Sequence, residues 1–200
     1  MSSEHLTSVV NDVLDFAKIE SGQMRISRDV QSARASIDSA ISMLQARASE
    51  KKIRVTVSSA IEAVFLGDAQ RVQQILLNLL SNALKFTPER GSVVITCEHR
   101  ESRGFGEHVG ADSRTAWTCI SVRDDGIGIA ADQIGPIFEP FVQGAGGYTR
   151  PHGGSGLGLA ISRSLARMMD GDITVESEPG AGSTFTLWLP HPSTAAAATS

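Results

Sequence analysis

Residues 68–86, DAQRVQQILLNLLSNALKF, carry two stripes that dictate how the segment must lie. At about 100° per residue, Val72, Leu76, Leu79, Leu80, Ala83 and Phe86 share one side, as in a helix packed on a core. Arg71, Gln74, Asn78, Asn82 and Lys85 fall within an arc of roughly 80° on the other. Gly67-Asp68 supplies a start and Thr87-Pro88 a stop. The apolar stripe packs on a sheet. The polar stripe is either a solvated face or one wall of a cleft.

The rest of the chain supplies that sheet. IRVTV (53–57), AVFL (63–66), SVVITCEH (92–99), TAWTCISVRD (115–124), DITVES (172–177) and STFTLWLP (183–190) read as strands. EHLTSVVNDVLDFAKIE (4–20) is an amphipathic helix through Leu6, Val9, Val10, Val13, Phe16 and Ala17, with Gly22 placed to terminate it. A second helix runs from about Ser32 to Ser49 and a further one over 157–169. Gly126 to Gly156 reads as a long loop, 100–114 as a hairpin loop, and 192–200 as a disordered tail. The sum is an α/β (α+β) two-layer sandwich, three helices covering one face of a mixed sheet, with an N-terminal helix projecting from it.

Composition excludes several classes. A net charge of −4 and no Lys/Arg cluster argue against nucleic acid as a partner. Cys97 and Cys119 lack CxxC spacing and read as reduced core thiols. No run approaches 18 apolar residues, so no membrane contact is expected of this piece, and a cytoplasmic location is, either free or as the cytosolic part of a membrane-bound protein.

Three glycine segments carry the chemistry. DDGIGI (124–129) sets a carboxylate at the end of a strand before a turn that glycines permit, although DDG is also an ordinary turn signal. GGSGLGLAIS (153–162) leads into a helix, whose free N–H groups and dipole favour an anion. It lacks the GxxxxGK[ST] pattern and does not follow a strand, so it is neither a P-loop nor a dinucleotide fingerprint. GAGSTF (180–185) serves equally as a tight strand connection. Beside these, the amides and ammonium of the 68–86 helix suit a phosphate-bound cation. An amide oxygen ligates hard Mg²⁺ without adding negative charge, and lysine supplies a point charge.

Taken in order, NLLSNALKF (78–86), DDGIGI, IFEPF (137–141), GGSGLGLAIS and GAGSTF resemble the catalytic, ATP-binding domain of sensor histidine kinases, a branch of the GHKL ATPase superfamily. The resemblance spans roughly residues 5–190. It implies ATP and Mg²⁺ as cofactors, with Asn82 as the Mg²⁺ ligand, Asn78 assisting and Lys85 touching phosphate. It assigns Asp124, rather than Asp125, to the adenine amino group, with Gly126, Gly128 and Ile129 beside the base and Thr184 lining the pocket. Gly154, Ser155, Gly156 and Gly158 are the expected phosphate contacts, with Leu157 and Leu159 also at the ATP site. Phe138 and Phe141, flanking Pro140, are either an apolar clamp or core packing. Residues 142–155 have the length and glycine content of a lid. There Arg150 either reaches the γ-phosphate or faces solvent, and His152 is not expected to accept a phosphoryl group.

Related gyrase-type and chaperone ATPases carry a glutamate one turn before the metal-binding asparagine. Here that position is Asn78, which cannot act as a general base, so slow hydrolysis and phosphoryl transfer are expected. The acceptor histidine is expected to be absent, since His5 lacks the family's surrounding pattern. VVNDVLDFAKIESGQM resembles the end of a dimerisation hairpin, and LDFAKIESG is reminiscent of hybrid kinases with attached receiver domains. The resemblance therefore implies a fragment: 1–24 from the hairpin, 25–191 the catalytic domain, with a second copy and a response-regulator receiver domain as partners.

Overall fold

Strand alternation sorts the sheet into two faces, and the helices take the apolar one. The computed structural model describes residues 3–58, 63–103, 114–142 and 155–192. Strands β2 (Arg54–Val57), β4 (Ser92–Arg103), β5 (Arg114–Asp124), β7 (Gly182–Pro190) and β6 (Asp172–Glu178) form one mixed sheet in that spatial order. β2 runs parallel to β4, and the remaining pairs are antiparallel. Val93, Ile95, Cys97, Ile120, Val122, Ile173, Phe185, Leu187 and Leu189 point to one side and join the main core. On the other face Trp117 packs edge-on against Trp188 at 6.5 Å.

Helices α2 (Ala33–Glu50), α3 (Ala69–Phe86) and α4 (Gly158–Met168) cover the apolar face, as the sequence predicts. Asp68 caps α3, its carboxylate accepting from the Gln70 and Arg71 backbone N–H groups at 3.0 and 3.1 Å. At the other end Lys51 Nζ donates to the Leu84, Lys85 and Thr87 carbonyls at 2.7, 3.1 and 3.3 Å. Both ends of α3 are thus tied. Ile75, Leu76 and Leu79 are 0–1% exposed, and each such burial contributes about 1.5–3 kcal/mol.

Five features depart from the sequence reading. β4 continues to Arg103 and β5 begins at Arg114, so both ends of the expected 100–114 loop are strand. Phe86 is 45% exposed although it continues the apolar stripe of α3, whose neighbours Ala83 and Leu84 are buried. A short strand β1 (Asp29–Ser32) pairs with β3 (Val64–Gly67) in a separate two-stranded sheet. The expected loop after Gly126 contains two 3-10 turns, Ala131–Gln133 and Pro136–Phe138. Helix α1 (Ser3–Glu20) does not simply project: it packs along α4, with Val9, Asp12, Asp15, Phe16 and Ile19 half-buried. Gly22, with φ of +67°, ends α1 as expected.

Candidate nucleotide-binding site

The polar stripe of α3 is divided along its length. Its first half is already engaged: Arg71 Nη1 donates to Gln74 Oε1 at 3.0 Å, and Gln74 Nε2 donates to Asp15 Oδ2 of α1 at 2.8 Å. Asn78 comes next, its Nδ2 donating to Ser162 Oγ of α4 at 2.9 Å. Asn82 Nδ2 then lies 3.5 Å from Asn78 Oδ1, a long contact, and no donor among the described residues reaches the Asn82 carbonyl oxygen. Lys85 is half-buried, and that burial, followed by the charge of Arg47, lowers its pKa. The open end of the stripe is therefore Asn82 and Lys85.

A buried carboxylate stands at the end of β5. Asp124 is 6% exposed, and desolvation raises its pKa, opposed by backbone N–H groups of Gly126 and Ser183. The Gly126 N–H donates to Oδ1 at 2.9 Å. A carboxylate offers about four acceptor positions, so two backbone donors leave capacity unused. Asp125 is committed elsewhere, accepting from the Ser92 backbone N–H at 2.9 Å and Ser92 Oγ at 2.8 Å. These bonds hold its pKa below the ordinary carboxylate range.

Glycines keep the backbone close around Asp124. Gly182, at φ +93°, lies so near that a Cβ would collide with the Asp124 carbonyl. Gly128, at φ +69°, packs in the same way on Glu178 and Pro179. Ile129 is half-buried against the core, and its N–H donates to Ser177 Oγ at 2.8 Å. A polar depression of about 390 Å³ opens here, lined by Asp124, Ser177, Gly182 and Ser183 together with Arg123, Glu176 and Thr184. Thr184 sits opposite Arg123 in the β5–β7 register, whereas Ser183 sits opposite Asp124. Successive residues face opposite sides of a strand, so Ser183 shares the face of Asp124 and Thr184 does not.

The third wall is the start of α4. Gly158 packs against Asn78, where a Cβ would lie 2.5 Å from Oδ1. Leu157 is fully buried and Leu159 half-buried against the core, so Leu157 can offer a ligand only its backbone. Ser155 Oγ accepts from the Leu157 N–H at 3.2 Å and donates to Asp12 Oδ2 at 2.7 Å. Phe138 packs against the core beneath Arg163, whose guanidinium lies 4.5 Å from its ring and donates to Asp172 at 2.8 and 3.2 Å. Phe141 is 65% exposed, so of the two expected clamp residues only Phe138 is core. Its N–H donates to the carbonyl of Gly156, itself at φ +71°, at 3.1 Å.

Asn78, Asn82, Ser155, Gly156 and Gly158 thus gather at the α3–α4 junction, with Asp124, Gly126 and Gly128 at the strand end. Gly154, Arg150 and His152, with most of the expected lid, lie outside the described residues, as does the side chain of His5. Ser162, Ser183, Arg163, Asp12 and Asp15 escaped the sequence reading. For Ser183 the signal was present, since Phe185, Leu187 and Leu189 alternate with it in phase.

Helices over a mixed sheet, with an amide-bearing helix beside a glycine-led one, define an ATPase of the GHKL type. The family model described as "Histidine kinase-, DNA gyrase B-, and HSP90-like ATPase" matches residues 67–193, and the chain belongs to that family. It is 39% identical over 191 residues to the autoinducer 2 sensor kinase/phosphatase LuxQ of Vibrio parahaemolyticus, covering 94% of this chain and 21% of that protein. It is 36% identical over 230 residues to histidine kinase 2 of Arabidopsis thaliana, covering 93% and 20%. The chain therefore spans about a fifth of the length of these curated relatives. Among solved structures, full-length ShkA in complex with AMPPNP is similar at 35% identity and a TM-score of 0.75, over 94% of this chain and 36% of that one. The catalytic domain of histidine kinase ThkA shares the fold at a TM-score of 0.66, over 82% and 96%.

Proposed function

We propose that this chain is the ATP-binding catalytic domain of a two-component sensor histidine kinase. The observation that carries the reading is the pairing of Asn78 with Asn82 on a helix without a single Asp or Glu. Such a face offers amide oxygens to a cation but no carboxylate to activate water, which favours phosphoryl transfer over hydrolysis. The residues fit the ligand. Asp124 has spare acceptor capacity for the adenine amino group, and Gly126, Gly128 and Gly182 leave bare backbone around it. Asn82 offers an unclaimed oxygen to Mg²⁺, with Asn78 beside it. Lys85 and the segment from Ser155 to Gly158 take the phosphates. Bound Mg²⁺ neutralises charge on phosphate oxygens, and the protein's own part is positioning.

In the whole protein the γ-phosphoryl passes to a histidine and then to an aspartate of a response-regulator receiver domain. Residues 1–24 belong with the dimerisation hairpin and 25–191 with the catalytic domain. A second copy is the partner of α1, which leaves Val10, Val13 and Leu14 about half exposed. No helix among the described residues is long and apolar enough to cross a membrane; the reading places this piece on the cytoplasmic side. Calorimetric titration with ATP, with and without Mg²⁺, tests the proposal. Saturable one-site binding that needs Mg²⁺ is expected; a folded sample that takes up no nucleotide sinks it.

A further inference from the structure

The inward face of α1 has the wrong composition for simple docking. Asp12 and Asp15 lie half-buried beside Val9, Phe16 and Ile19, while Val10, Val13 and Leu14 remain 48%, 47% and 51% exposed. Withdrawing carboxylates from water costs free energy that apolar contact does not return, so their partners must hold them. The partner of Asp12 belongs to the expected phosphate end, and those of Asp15 to the first half of the polar stripe of α3. Asp15 accepts from Gln74 and lies 4.0 Å from Arg71, both on the polar stripe of α3. Asp12 accepts from the hydroxyl of Ser155, 143 residues away in sequence, at 2.7 Å. Phe16 meets the ring of Phe141 edge-on at 6.1 Å. Phe141 holds φ at +66°, a strained value for an aromatic residue.

We infer that the Asp12 carboxylate is an internal ligand of the phosphate end of this site, engaging the Ser155 hydroxyl that nucleotide phosphates otherwise engage. The inference rests on the ATP reading above. A triphosphate brings several negative charges to a hydroxyl already held by one, with Asp15 close by. Docked α1 and bound nucleotide therefore oppose each other. By linkage the opposition is mutual: α1 weakens nucleotide binding, and nucleotide loosens α1.

Titration of the 200-residue chain and its Asp12→Asn and Asp12→Ala variants with MgAMPPNP tests this. Both variants should bind about fivefold tighter, the low end of ordinary coupling between sites. Added salt should narrow the gap, because the opposition is between charges. Wild-type binding that neither variant tightens overturns the inference and leaves the ATP reading standing. Absence of binding in all three proteins overturns both. A second readout uses the unmutated chain: hydrogen exchange of the backbone amides at 10–20 should quicken when MgAMPPNP is added. Slower exchange there would mean that nucleotide reinforces α1 docking, which is the opposite sign.

Discussion

Asn78 and Ser162 bind α3 to α4 at 2.9 Å, and this bond orients the Asn78 amide. With Nδ2 spent on a hydroxyl that is 2% exposed, Oδ1 is left facing Asn82 and the start of α4. Ser162→Ala releases that amide to rotate without removing it. Nucleotide affinity should fall by a few-fold while stability changes by about 1 kcal/mol, the usual net worth of one hydrogen bond. Calorimetry and a denaturant melt separate the two effects.

Asn82→Ala should abolish the Mg²⁺-dependent part of nucleotide binding and leave the fold intact, because among the described residues its side chain makes only one long contact. Circular dichroism establishes the fold. An unchanged affinity in the presence of Mg²⁺ would remove Asn82 from the metal.

Asp124→Asn should weaken ATP and ADP alike, since the two share the base. Its effect on stability has the opposite sign. Burial raises the pKa of Asp124, so the native state holds its proton at a pH where the unfolded chain has released it. Wild-type stability should therefore decline, relative to the asparagine variant, as pH rises from the ordinary carboxylate pKa through the raised one, then stay level. Melts of both proteins across that window test the sign.

Gly180 and Gly182 share one turn and positive φ values of +82° and +93°, yet their surroundings differ. A Cβ at Gly180 meets nothing within 4 Å, so Gly180→Ala should cost about 1–2 kcal/mol, the left-handed penalty alone. At Gly182 the Cβ also strikes the Asp124 backbone, and the loss should be clearly larger, with nucleotide affinity falling alongside. Equal losses in the two variants would contradict the close approach.

Burial pushes the thiols of Cys97 and Cys119 up to about 11 and about 12. Neither should react with an alkylating reagent at neutral pH while the domain is folded, because the thiolate is the reactive form. Rapid labelling of native protein would place one of them nearer solvent than the fold does.

Periodicity made α3 and the long strands legible, because their apolar residues answer to one local neighbour, the core. The features it missed answer to distant partners. Asp29–Ser32 carries no apolar alternation and is a strand only through pairing with Val64–Gly67. Asp12 and Asp15 lie outside the apolar positions that the spacing picks out, and it is Ser155 and Gln74 that draw them inward. Phe86 continues the apolar stripe on a helical projection yet stays 45% exposed, since a projection records angle and not what lies against it. The resemblance names Thr184; the alternation of β7 adds Ser183, which shares the face of Asp124.

The position of Asp124 has a consequence for how such a domain diversifies. β5 is paired on both sides from Trp117 to Asp124, so its amides should be among the last to open in the native state. The carboxylate that would choose the base thus belongs to the most persistent part of the chain. The contacts expected at the phosphate end come from other elements, α3 and the residues that lead into α4. Substitutions there can retune when the site is available without disturbing which base it accepts, so a lineage can change the timing of a response and keep its fuel.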